Sequence, residues 1–339
     1  MTSFANTDGG VIVYGVDENR EPDKRGTAAK IVGISGGGDA AILRLINLIQ
    51  QWTSPSLSSR IRAAVIIMGD AKQVVAVGIP QSLNRPHREN ERRLFWRRND
   101  RGKYEPDVTE LREMFLESES WESKCDQFVD ERIERLRSVP ISEAAYIVVH
   151  VLPIGRLHRR LDTKAIRDSG SMRFEPLHEF SGSMRHNFEG FISRAVDPES
   201  QATRAHCQFF RFGGVEGICA SLARDDREPI DGNIRPQRWI FGVEATTAIG
   251  NFVRQRMQSL ENIAQVERPF YISLSLVNYN GFMVVNERQG YPQGRIDRAI
   301  LRLPPALVEV DTNVDEATRS LTDVMWQASG WEAGYWPSA

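Results

Sequence analysis

The stretch Phe4-Ala5-Asn6-Thr7-Asp8-Gly9-Gly10-Val11-Ile12-Val13-Tyr14-Gly15-Val16-Asp17-Glu18 decides how the chain is read. Gly10–Val16 is apolar on both faces, the pattern of a strand in the middle of a sheet. Asn6 through Gly10 is where a helix must stop and turn into that strand. Asn and Gly accept positive φ at little steric cost, so Asn6, Thr7, Gly9 and Gly10 read as a helix C-cap and tight reversal. Turn chemistry is the commoner use of a Gly-Gly pair. The alternative is that N–H groups exposed at the turn approach a phosphate.

Outward from this turn, Asp17–Thr27 is a charged excursion and Lys30–Ile34 a second, shorter strand. Asp39 caps a helix whose Ile42, Leu45, Ile46 and Ile49 recur on one face through about Trp52, and Pro55 ends it. Ala63–Met68 and Gln73–Ile79 are β-rich runs joined at Gly69-Asp70-Ala71-Lys72, a hairpin signal. A basic loop follows Pro80, then a short strand at Phe95–Arg97 and a helix from Val108 that turns Leu111, Met114 and Phe115 inward. Glu117–Arg137 is highly charged with a thin apolar stripe and reads as a connecting helix. The expected organisation is therefore a first domain over 1–118, a charged helical linker over 119–142 and a C-terminal α+β domain over 143–339. In that last region strands are expected at Ala145–Leu152, Phe188–Val196, His206–Phe212 and Phe270–Val277. Helices are expected at Thr246–Ile263 and Val314–Trp326.

The 339 residues are enough for two domains with buried cores. Hydrophobic content of 41% and charged content of 26% exclude a collagen-like, coiled-coil or largely disordered chain. No apolar run approaches the roughly 20 residues of a membrane helix, and the N-terminus has no secretory pattern, so no membrane association and a cytoplasmic location are expected. Cys125, Cys207 and Cys219 fit neither a disulfide framework nor a zinc pattern and read as packed thiols. The scattered histidines make no His-Glu-x-x-His motif, and His150 reads as a hydrogen-bonded core residue. Ser35-Gly36-Gly37-Gly38-Asp39 lacks the Gly-Lys-Ser/Thr ending of a phosphate loop and reads as a connector with an Asp cap. Gly213-Gly214 suits a hairpin turn after the alternating Phe210 and Phe212.

Arg85–Lys103 carries eight cations against Glu89, Glu91 and Asp100, a local excess of five in a chain of net charge −2. That asymmetry points to a polyanion partner. Arg85, Arg88, Arg92, Arg93, Arg97, Arg98 and Lys103 are the candidate phosphate contacts. Trp96 interleaves with them as stacking on unpaired bases requires, and His87 organises the loop or touches a nucleotide. About five phosphate contacts would give log K against log salt a slope near −4.

The opening motif resembles the Schlafen-type AlbA domain. Further elements agree in order: Ile31-Val32-Gly33-Ile34, the amphipathic helix, Pro55, Val77-Gly78-Ile79-Pro80-Gln81-Ser82, Arg85-Pro86-His87, Arg97 and Leu111-Arg112. The resemblance covers roughly Met1–Phe115 and implies an α+β fold with an AlbA-like mixed sheet and packed helices. It also implies a bacterial nucleic-acid-binding protein, regulatory or defence-related. In nuclease members, two glutamates of a first segment join an aspartate after the following strand. Asp17 aligns with that aspartate, with Glu18 beside it, but the glutamates have no counterpart here. The candidate catalytic pair is therefore Asp17 and Glu18, with Asp17 the metal ligand for Mg²⁺ or Mn²⁺ if the protein is a nuclease. One carboxylate and its neighbour do not complete such a site, so the chain as given reads as non-catalytic. Either it starts late, or it is a binding relative without the catalytic corner. ATP binding, a label attached to relatives, is the remaining alternative. An uncovered Gly10–Val16 strand implies homo-oligomerisation through an open sheet edge. Sizing across concentration is expected to report self-association, and a monomer at high concentration would contradict it.

Overall fold

A computed structural model describes residues 1–19, 27–35, 38–57, 61–68, 72–100, 102–143, 145–154, 160–168, 174–180, 184–226, 237–286, 294–310 and 312–336. The architecture is α+β, in two units, Met1–Glu122 and Ser123–Ala339. In the first, α1 (Thr2–Ala5) leads into β1 (Gly10–Tyr14), β2 (Val16–Glu18), β3 (Ala28–Ile31) and β4 (Ile34–Ser35). Then come α2 (Gly38–Trp52), β5 (Thr53–Ser54), β6 (Arg62–Ile67), β7 (Lys72–Ile79), β8 (Arg88–Glu89), β9 (Arg97–Asn99) and β10 (Gly102–Tyr104). Helix α3 (Val108–Leu136) passes through the boundary between the units.

β7 is the centre of the first sheet. β6 pairs along one side of it, and β1 and β4 share the other. All three pairings are antiparallel, where a mixed sheet was expected. The expectation that Gly10–Val16 forms one central strand is also corrected. β1 is an edge strand with Val11 and Val13 exposed. The chain breaks at Gly15 (φ +96°), whose carbonyl accepts from the N–H groups of Val32 and Gly33, and β2 pairs with β3 in a separate ribbon. An apolar run reports that a strand could be covered on both faces; it does not report how many strands flank it. α2 ends at Trp52 as expected but begins at Gly38, so Asp39 lies in its first turn and does not cap it; the helix lays Ile49, Ile42 and Leu45 against Val75, Val77 and Ile79. β6 and β7 pair as the expected hairpin, although Gly69, Asp70 and Ala71 of its turn lie outside the described residues, as do Gly36, Gly37 and positions 20–26.

The second unit contains β11 (Tyr146–Pro153), α4 (Thr163–Asp168), β12 (Met184–Asn187), β13 (Gly190–Val196), β14 (Thr203–Phe210), β15 (Val215–Cys219), β16 (Ala223–Asp226) and β17 (Gln237–Phe241). α5 (Gly242–Asn262), β18 (Phe270–Val277), β19 (Met283–Val285), β20 (Ile300–Arg302), β21 (Ala306–Val308) and α6 (Val314–Gln327) complete it. Its main sheet is antiparallel, in the order β12-β13-β14-β15-β11-β18-β20, with β21 also on β18. One face buries Phe191, Phe209, Val149 and Leu274 in a single apolar core with Ile249 and Val253 of α5 and Leu321 and Met325 of α6. The opposite face is polar. Cross-strand register places Arg194, His206, Gln208, Glu216 and His150 on it, because side chains alternate along each strand. No helix among the described residues is long and apolar enough to cross a membrane.

From Ser123 onward α3 covers part of that polar face, so these residues of the expected linker belong to the packing of the second unit. Val129, Ile133 and Leu136 are buried. Phe128 meets His150, Phe210 and Phe212 edge to face. Glu216, fully buried, accepts two hydrogen bonds of 2.8 Å from Arg132 and one of 3.0 Å from each of His150 and His206. Burial alone would raise the Glu216 carboxyl, but these hydrogen bonds, Arg132 foremost, hold it well below the usual carboxylate range. Burial likewise opposes the Arg132 charge, and Glu216 and Glu189 outweigh it, raising that guanidinium. Removing one partner leaves a buried charge unanswered, so Arg132→Ala should cost about 3–5 kcal/mol of stability in denaturant titration. Because the folded Glu216 carboxyl is depressed, its contribution is complete above about pH 4.3 and lost as pH falls toward the folded value. Glu216→Gln should therefore be less stable than wild type at pH 7, with the gap narrowing below about pH 4 in thermal melts.

Candidate nucleic-acid interface

The side chain of Asn6, 1% exposed, is the clamp of the N-terminal unit. Its amide donates to the carbonyls of His87 (2.8 Å) and Trp96 (3.0 Å), and its oxygen accepts from the His87 N–H (2.7 Å). Thr7 extends the clamp: its hydroxyl donates to the Ser3 carbonyl (2.9 Å) and accepts from the Arg98 N–H (3.0 Å). The N–H groups of Asn6, Thr7 and Gly9 bond back to Thr2 and Phe4 carbonyls of α1. Those three N–H groups are spent on the helix end and are not available to a phosphate. The glycines are spatial requirements. A Cβ at Gly9 (φ +79°) would sit 2.8 Å from the Ile79 carbonyl, and one at Gly10 would sit 2.3 Å from the Phe4 ring.

His87 is 1% exposed and does not reach the surface, which corrects its assignment as a nucleotide contact. Nδ1 lies 2.7 Å from the Pro55 carbonyl, which can only accept, so Nδ1 carries a proton; Nε2 lies 2.6 Å from the Ser82 hydroxyl. Ser82 is equally buried, so this Ser–His contact is a strut between loops with no substrate access. Arg85 and Arg88 are half-buried, and Arg97 is engaged by Glu110 at 3.2 Å. Glu110 also accepts from the Tyr104 hydroxyl at 2.8 Å and raises that phenol above its ordinary range. Phe95 is half-buried, its ring centroid 6.0 Å from that of Phe115.

Arg92, Arg93, Arg98 and Lys103 are exposed. Arg98 and Lys103 face one another across the β9–β10 ribbon. The Arg98 guanidinium lies 4.4 Å over the Phe4 ring and the Lys103 ammonium 4.5 Å over the Trp96 ring, whose N–H donates to Glu89 at 2.7 Å. One face of Trp96 thus supports a cation where a stacked base was expected.

Asp17 and Glu18 lie exposed on the β2–β3 ribbon, with Lys30 opposite Asp17 and a register shift between the two acids. Among the described residues no three His, Cys, Asp or Glu side chains gather where they could hold a metal ion. A divalent cation positioned for phosphodiester hydrolysis needs several converging oxygens, and this pair does not provide them.

Residues 1–106 match the family model described as Schlafen, AlbA_2. The N-terminal unit carries a Schlafen/AlbA-type domain. The match spans a little under a third of the chain, ends before α3 and points to a nucleic-acid-related function. Searches of the curated proteins and of the solved structures return no match.

Within this Schlafen/AlbA-type domain, Asn6 and Thr7 secure the basic segment, a role that local sequence does not announce because the partners lie 81 to 91 residues away. The roles of Pro55 and Ser82 as partners of His87, and of Glu110 as partner of Arg97, 5 to 32 residues apart in sequence, are likewise set by the fold. Asn6→Ala would leave the His87 N–H and the His87 and Trp96 carbonyls unanswered in a buried site. The expected cost is about 2–4 kcal/mol by urea titration, together with faster amide exchange at Arg98; wild-type stability would contradict the clamp.

Proposed function

We propose that the N-terminal unit binds nucleic acid along its sugar-phosphate backbone through Arg92, Arg93, Arg98 and Lys103. The observation that supports this reading is the Arg98–Lys103 pair. Like charges directly opposite on paired strands destabilise a ribbon, and among the described residues no carboxylate forms an ion pair with either cation. Both are instead held out from the protein on aromatic rings. A phosphate laid over the ribbon relieves the repulsion, so the arrangement is costly alone and favourable with a polyanion. Since Trp96 supports Lys103, contact runs through the backbone and tolerates sequence. The metal-dependent nuclease alternative finds no support in the placement of Asp17 and Glu18. ATP binding has no support in Ser35–Asp39, which lacks the Gly-Lys-Ser/Thr ending of a phosphate loop; Gly36 and Gly37 of that segment lie outside the described residues.

Four phosphate contacts imply a slope of about −3 for log K against log salt on a single strand, so a fourfold rise in salt should weaken binding about fiftyfold. The quadruple change of these residues to Gln should abolish gel-shift retention and flatten the salt dependence, while Asp17→Asn should leave both unchanged. Retention by the quadruple variant would overturn the proposal.

A further inference from the structure

Phe188, at the turn between β12 and β13, is 94% exposed, more than any other large apolar side chain among the described residues. A single exposed ring is ordinary on a protein surface; the way this one is held is not. The Asn187 side-chain oxygen accepts from the Gly190 N–H at 2.8 Å, and its amide donates to Gln208 at 2.6 Å. A Cβ at Gly190 would sit 2.1 Å from the Phe209 carbonyl, so the turn closes only on glycine. Arg211 braces the turn from outside. Its main-chain N–H donates to the Glu189 carbonyl at 2.8 Å, and its Nε donates to the Phe188 carbonyl at 2.9 Å. The remaining guanidinium contacts, the Thr163 hydroxyl and the Asn187 carbonyl at 3.4 Å each, are also neutral.

Arg211 is exposed and forms no ion pair among the described residues. The same holds for exposed Arg185, two residues before Asn187 and on its face of β12. Exposed Arg160 is a third such cation, and its neighbour Leu161 donates its N–H to the Arg211 carbonyl at 2.7 Å. The acids close to the turn are engaged: Glu189 with Arg132 and Arg135, and Asp162 with the N–H groups of Lys164 and Ala165. A rigidly presented aromatic ring beside uncompensated arginines matches an unpaired nucleic-acid strand, whose bases stack on rings and whose phosphates take the cations. A lipid surface or a protein interface would call for a contiguous apolar patch, and the residues around Phe188 are polar or charged.

We propose that the β12–β13 turn is a contact for single-stranded nucleic acid, Phe188 stacking on one unpaired base while Arg185 and Arg211 bind the phosphates beside it. The site lies outside residues 1–106, which carry the family match. It shares a ligand class, but no residue, with the proposal for the N-terminal unit, and each can fail without the other. One base and two phosphates make a weak contact that dissociates during electrophoresis, so it has to be read in solution.

Photocrosslinking of the full chain to a pentanucleotide of 5-iododeoxyuridine, with the adduct mapped by mass spectrometry, provides that reading. The expected adduct is on Phe188, at least about tenfold above that on Phe180, which is 71% exposed but stands beside the Glu179 carboxylate. Two phosphate contacts give a slope of about −1.4 on a single strand, so a fourfold rise in salt should lower the yield about sevenfold. Arg185→Gln with Arg211→Gln should lower it at least about fivefold, and Phe188→Tyr should keep it. Because Arg211 braces the turn, Arg185→Gln alone supplies the charge readout should the double variant fail to fold. Unlabelled pentathymidylate should compete at least about tenfold better than an abasic pentanucleotide. The adduct should persist when Arg92, Arg93, Arg98 and Lys103 are all changed to Gln, which separates this site from that of the N-terminal unit. An adduct on Phe188 no stronger than on Phe180, a yield indifferent to salt and to Arg185→Gln, or equal competition by the abasic strand would overturn the inference. So would Phe188-dependent sedimentation with phosphatidylserine vesicles in the absence of an adduct, which would assign the turn to a lipid surface.

Discussion

The N-terminal unit depends on the carboxamide of Asn6. Its amide and its oxygen join the α1 turn to the loop at His87 and to the start of the β9–β10 ribbon. A ribbon of two three-residue strands has no independent stability in water. It persists because three polar groups of the main chain find their partners in one buried side chain, and any slippage would leave them unpaired. The cations at positions 98 and 103 thereby hang from a fixed frame, which lowers the ordering cost when a polyanion lands on them.

What could be read in the sequence was what repeats locally. α2 shows its buried face in the spacing of Ile42, Leu45 and Ile49, and the β6–β7 hairpin in two β-rich runs about a turn apart. α5 and α6 follow the same logic, and His150 is the hydrogen-bonded core histidine that its apolar neighbours imply. What could not be read depends on distant pairing. β1 has the composition of a central strand and the position of an edge strand, because neighbour count is set by chain segments far away. The same limit governs the site. Eight cations in nineteen residues are visible as charge, but their division into exposed Arg92, Arg93, Arg98 and Lys103, paired Arg97 and half-buried Arg88 is decided by Glu110 and by the ribbon register.

The second unit follows a different rule. A sheet with one apolar face can leave the other to solvent, yet here a charged helix segment covers part of it. Glu189 and Glu216 make this possible by answering Arg132, a buried network in which every nitrogen of the guanidinium donates to a carboxylate. Such a network adds little net stability over an apolar core of equal volume. What it adds is a single permitted register of α3 on the strands, since a shift by one residue would strand the Glu216 charge between two histidines.

The contrast between cations paired within the fold and cations without an ion pair among the described residues separates scaffold from candidate site in the N-terminal unit. Arg97 with Glu110, Arg132 with Glu216, Arg254 with Asp315 and Arg302 with Asp130 are paired within the fold, so their charge is spent on structure. Arg98 with Lys103 places like charges directly opposite one another, a repulsion that the proposed polyanion would relieve. Net charge conceals this pair: the chain as a whole is slightly acidic, and long-range steering of an anion is correspondingly weak. Capture by the proposed surface would therefore occur within a few ångströms, where a Debye length of about 8 Å at physiological salt still leaves two neighbouring cations unscreened. That range would suit a phosphate held by two side chains, and it would make the geometry of the Arg98–Lys103 pair, more than the sum of charges, the quantity that controls affinity.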